Sequence, residues 1–172
     1  MKALIETFES IIHCAISNSK SINISDFEAK SNEHQWSKKE ILGHLIDSAM
    51  NNYRRFMLAS SQDDLVFEGY DQTNWVLKNK YQSRDIKELF QLWTILNLHL
   101  NALMAAEPFE LVTRKTTVHN FHEIGMNPIE EGVPSSMAYL FWDYLFHLEH
   151  HLTQIFPEYK RILKSKEEYR CI

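Results

Sequence analysis

The chain has 172 residues, enough for one domain with a substantial hydrophobic core and too few for two to fit comfortably. Apolar residues make up 44% and charged residues 24%, while glycine and proline number only four each, which argues against a turn-rich sandwich or barrel. A net charge of −5 with no basic stripe argues against a nucleic-acid partner.

Residues 2–18 form the first expected helix. Leu4, Ile5, Phe8, Ile11, Ile12 and Ala15 recur at helical spacing. Glu6 and Glu9 interrupt the apolar run that a signal peptide would need. A polar connection follows through "SNSKSINISDFEAKSNEHQ". Ser37, three residues before Glu40, has the spacing of a capping box, and a second helix is predicted through "ILGHLIDSAMNNYRRFMLA". Asp71 is a plausible cap for a short helix within "GYDQTNWVLKNK". Ser83 is the expected cap of a longer one that stops before Pro108.

Residues 107–132 read as a long irregular connection, a kind of segment that is often functional. The last long helix is expected from about Pro134, a residue tolerated in a first turn, to Phe156. A short basic helix should end the chain. Four long amphipathic helices, long crossovers and a short extra helix make an all-α four-helix bundle the economical fold, as a single domain over residues 1–172.

Cys14 and Cys171 have no metal-type spacing and read as free thiols, which fits a reducing, cytoplasmic location. No stretch reads as the roughly 18 to 20 apolar residues of a membrane span, so no membrane role is expected.

Nine histidines stand out in a chain of this length. His13, His34 and His99 are isolated. In "HLEHHLTQI", His147 and His151 lie one helical turn apart, about 40° around the axis, and can address one ion. His150 points about 100° away from His151 and reads as a solvated bystander. A zincin helix is excluded because Leu148 occupies the glutamate position of its motif. A di-iron bundle is excluded because no histidine has glutamate three residues before it. A third ligand must come from another helix, and His44 in "GHLIDS" is the best candidate, with Gly43 allowing close approach of a neighbour. Spacing alone leaves a second reading open, in which these are ordinary surface histidines.

A histidine early in the second helix, followed far downstream by H-x-x-x-H-x-x-Q-I, resembles the DinB-like (DNA-damage-inducible, YfiT-like) metal-dependent four-helix-bundle family. The matching stretches here are "LGHLIDSA" and "HLEHHLTQI", and "GYDQTNWV" resembles a family element between the second and third helices. The resemblance runs from the second helix to Gln154. It implies His44, His147 and His151 as a metal triad, a divalent ion such as zinc, nickel or iron, and a homodimer. It also implies chemistry on small-molecule substrates, in the first place S-transferase-type with a low-molecular-weight thiol and in the second hydrolysis. The chain departs from the frequent H-R-G-Q-I ending by carrying Leu152 and Thr153.

Three imidazoles would leave open coordination positions, suited to acidifying water or to binding a thiol as thiolate. Asp143, one turn before His147, is either an acceptor for that ligand's second nitrogen or an exposed residue. No residue stands out as general base. Tyr144 and Ser48 are candidate pocket residues, Asp71 and Trp75 match the family element, and His119 and His122 are candidates for gating the cleft. A non-catalytic, stress-related metal-binding bundle is the alternative function. A dimeric structural protein with incidental histidines is a third.

Overall fold

The computed structural model describes residues 1–169 and 171–172. Four long helices carry the architecture: α1 (Lys2–Ser19), α3 (Lys38–Ala59), α5 (Ile86–Ala106) and α8 (Met137–Ile155). Short helices α2 (Ile24–Glu28), α4 (Gln72–Asn79), α6 (Phe109–Thr113) and α7 (Phe121–Ile124) lie in the connections. No strand occurs among the described residues. The fold is the expected all-α four-helix bundle. α3 packs against α5 and α8, and α1 against the same two, so the order around the bundle is α1, α5, α3, α8.

Aromatic side chains from three helices meet at the centre. Phe8 lies edge-on to Phe141 and Tyr144, and Phe56 packs on the same pair, with centroid separations of 5.6 to 6.4 Å. Burial of each such ring stabilises the fold by about 1.5–3 kcal/mol. Phe56 faces Phe141 while His44 faces His147, so α3 and α8 run antiparallel.

Local chemistry sets the helix starts. Ser37 accepts from the Glu40 amide while Glu40 accepts from the Ser37 amide, the reciprocal box expected from the sequence. Asp71 accepts from the Asn74 amide and caps α4 as expected. α5 differs: Asp85, not Ser83, is its cap, accepting from the Lys87 and Glu88 amides, and Ser83 ends a 3₁₀ turn. α8 begins after Ser136, which accepts from the Tyr139 amide, so Pro134 lies outside the helix. Gly43 admits the Tyr81 ring, which occupies the space a Cβ would need.

The connections hold more order than their composition suggests. Asn23 caps α2, whose Phe27 is buried. The 107–132 segment is not irregular throughout: it contains α6 and α7. Backbone pairs also tie Thr116 to Ser135, and Leu65 to Val118 and Asn120. Among the described residues the expected C-terminal basic helix does not form, and a 3₁₀ turn, Lys166–Glu168, follows α8. Tertiary bonds hold that end instead, because buried Glu149 accepts from the Tyr159 hydroxyl and the Ile162 and Leu163 amides.

Against the expectation that no stretch has the apolar length of a membrane span, α5 is long and apolar enough to cross one by length and composition. In this structure it contributes Trp93, Leu100 and four other apolar side chains to the bundle core.

Candidate metal centre

α3 and α8 bring three histidines together. His44 lies nearly two turns into α3, fully buried, with Trp36 tilted over it at 5.1 Å between centroids. His147 and His151 are half-buried on consecutive turns of α8, beside Leu145, Leu148 and Leu152, which anchor the helix in the core. Nε2 of His44 is 3.0 Å from Nε2 of His147. One nitrogen from each of the three rings lies within 4.8 Å of the others. Nitrogens bound tetrahedrally to one zinc ion would be separated by about 3.3 Å, so the cluster has the right scale for a divalent ion.

The protonation states suit that ion. Burial pushes the His44 imidazole down to about 3, and the nearby His151 pushes the same way. Burial, then the neighbouring histidines, holds His147 well below its ordinary value. His151 is lowered by burial as well, partly opposed by its bond to Gln154. All three are therefore neutral at pH 7, with lone pairs available to a cation.

Gln154 orients the third ring. Its Oε1 accepts from Nδ1 of His151 at 2.7 Å, which leaves Nε2 of that ring free. Its amide nitrogen is 3.2 Å from Nε2 of His150. His150 stays outside the three-histidine cluster, as expected, and meets the glutamine amide on the solvent-exposed side. The Nδ1 atoms of His44 and His147 are buried with no partner among the described residues. Among the described residues His151 is therefore the one ring of the three whose Nδ1 is held by a side chain.

No family model matches the chain. Among solved structures, YfiT from Bacillus subtilis superposes with a TM-score of 0.71 over 90% of this chain and 82% of that one, at 18% identity. It is described as "a probable metal-dependent hydrolase with an unusual four-helix bundle topology". The chain shares the four-helix-bundle fold of that protein. Curated relatives of the chain are named "Putative metal-dependent hydrolase". One, from Halalkalibacterium halodurans, is 23% identical across 72% of this chain and 65% of its own length. Another, from Oceanobacillus iheyensis, is 25% identical across 78% and 71%, and a third, from Bacillus mycoides, is 26% identical across 70% and 62%. The match thus spans just under two thirds of the first relative's length.

Within this fold several expectations change. His44 is not an ordinary surface histidine, because Trp36 and the two α8 rings enclose it. Asp143 neither contacts His147 nor is exposed. It is buried and accepts from the Met126 amide and from the Asn127 backbone and side-chain amides. Its carboxyl pKa is raised by burial against the opposing pull of those donors. His119 does not gate the cleft. It is buried, donating from Nε2 to the Val133 carbonyl while Nδ1 accepts from the Phe121 amide. His122 sits half-exposed beside Glu123, and His13, His34 and His99 lie outside the cluster.

Ser48 and Tyr144 do line a cavity next to His147. Tyr144 also donates to Oδ1 of Asn97 at 2.6 Å. Trp75 is half-buried against Tyr70, 4.6 Å between centroids. Sequence reasoning missed Gln154 as an orienting residue, although its i, i+3 spacing from His151 placed it on the right face. It also missed Arg55, which shares the His44 face of α3 about three turns further on.

Proposed function

We propose that the chain is a divalent-metal-dependent hydrolase, with His44, His147 and His151 as the protein ligands. The convergence of three neutral imidazole nitrogens at the α3–α8 junction carries this reading. The names of the relatives and of the structural neighbour support it. Zinc is the first candidate, since it accepts three nitrogen ligands and keeps a position open. The ion would supply Lewis acidity for attack on an ester or amide.

The chain's own residues do the positioning. Gln154 holds His151 with Nε2 free, and Trp36 covers His44 and excludes water from that side. Ser48 and Tyr144 shape the adjoining cavity. The same open position suits a soft thiolate, so transfer involving a small thiol is the second chemistry, resting on the DinB-like resemblance.

Metal analysis of the purified protein tests the reading. About one divalent ion per chain is expected in the wild type and little in His147→Ala. Equal, negligible metal in both would remove the centre. Turnover of simple esters or amides by the metal-loaded protein would support hydrolysis, and turnover only with an added thiol would move the assignment to transfer. Bound metal with inactivity throughout would favour a non-catalytic metal-binding protein.

A further inference from the structure

Ser48, Asn52 and Arg55 follow His44 along one face of α3, at steps of four, four and three residues. The antiparallel α8 presents Tyr144, Asp143 and Leu140 opposite them. A cavity of about 140 Å³ lies between the two rows, lined at one end by His147 and covered by Tyr70 and Glu123. Four or five waters would fill it, at about 30 Å³ each.

Arg55 is the unusual part of the wall. It is only 7% exposed, yet it forms no ion pair with any described carboxylate. With the Asn51 amide turned to accept, Nε and Nη2 each reach its oxygen at 3.2 Å, and Nη2 is 3.4 Å from the Glu68 carbonyl. Those partners are neutral, and Nη1 donates to no described residue.

Asp143 is near enough for its charge to act on Arg55, but its oxygens already accept from Met126 and Asn127. Glu123 turns its carboxylate toward Asn120 and His122. A guanidinium keeps its proton in a protein, so a cation bonded to no described carboxylate lines this cavity. Such a charge is expensive to bury and is seldom retained without a partner.

We propose that the cavity binds a small substrate bearing a carboxylate, which accepts from Nη1 of Arg55 while the reacting group lies toward His147. This rests on the reading of the three histidines as metal ligands. Asp143 and Glu123 favour a single negative charge, hence a carboxylate over a phosphate dianion. Arg55 and His147 line the same cavity, so one bound molecule can meet both.

Cobalt(II)-loaded protein provides the test, because a thiolate bound to cobalt gives its own absorption band. The probes are ω-mercapto acids with two, three or four methylenes, each compared with its uncharged amide. At least one acid should bind roughly ten- to a hundredfold more tightly than its amide, as a charge-assisted bond predicts. In Arg55→Met that preference should vanish while cobalt stoichiometry stays unchanged. The variant should melt no lower than wild type, since it loses an unpaired buried charge.

Cobalt uptake with equal affinities for every acid and amide would overturn the carboxylate proposal and leave the metal reading standing. Absence of cobalt uptake would overturn the metal reading, and the proposal with it. Inorganic phosphate displacing the acids better than acetate does would overturn the choice of carboxylate. The wild-type comparison of acid with amide holds whether or not the variant folds.

Discussion

Acidifying the metal-free protein should destabilise it through the histidine cluster. In the unfolded chain each imidazole titrates near 6.5, whereas burial holds His44 down at about 3 and His147 well below 6.5. For groups depressed in the folded state, the stabilising contribution is complete above the unfolded pKa and is lost as pH falls toward the folded values. Between pH 7.5 and 5.5 the His44 site should cost about 1.4 kcal/mol, with His147 adding in the same direction. At this chain length the His44 part alone corresponds to a fall in Tm of roughly 3–6 °C. Thermal melts in chelator at pH 7.5, 6.5 and 5.5 would read it, with the double variant His44→Gln/His147→Gln as reference. The other seven histidines contribute to both proteins, so the difference in slope isolates the pair. Parallel pH profiles for wild type and variant would refute the argument that burial holds these rings neutral.

Gln154→Leu should weaken metal binding by about ten- to a hundredfold, because His151 loses the acceptor that fixes its tautomer. Competition with a chromophoric chelator measures this, and unchanged affinity would show that the bond orients nothing. Gly43→Ala places a Cβ where the Tyr81 ring lies and should cost about 1–3 kcal/mol in a denaturant melt. A neutral result would mean that the ring moves freely aside. Asp143→Ala leaves the Met126 and Asn127 amides without their acceptor and should destabilise the fold by about 2–4 kcal/mol. It should also speed proteolysis near Gly125, and wild-type resistance there would show that the loop is held by other contacts.

The helices and the i, i+4 pair were legible because both are properties of short sequence windows. A face repeating every three or four residues reports a helix, and the same period puts His147 above His151. Ser37 with Glu40, and Asp71, announced helix starts through the geometry of one turn. Gln154 was within reach of the same logic. Short elements were harder to read. α2, α6 and α7 have four or five residues each, too few for a periodic signal, and owe their order to tertiary contact.

Sequence by itself determined the all-helical class, the α8 ladder and the candidate status of His44. Only the tertiary structure decided which polar residues went inside. Asp143 and Glu149 sit on one helix and look like solvated charges, but each is buried on backbone amides from segments distant in the chain. Arg55, eleven residues after His44, becomes a cavity wall only when α8 lies antiparallel beside α3. Helical periodicity is local and can be read from one segment. Burial of a charge depends on which distant donors or acceptors the fold brings to it, and no single segment carries that information.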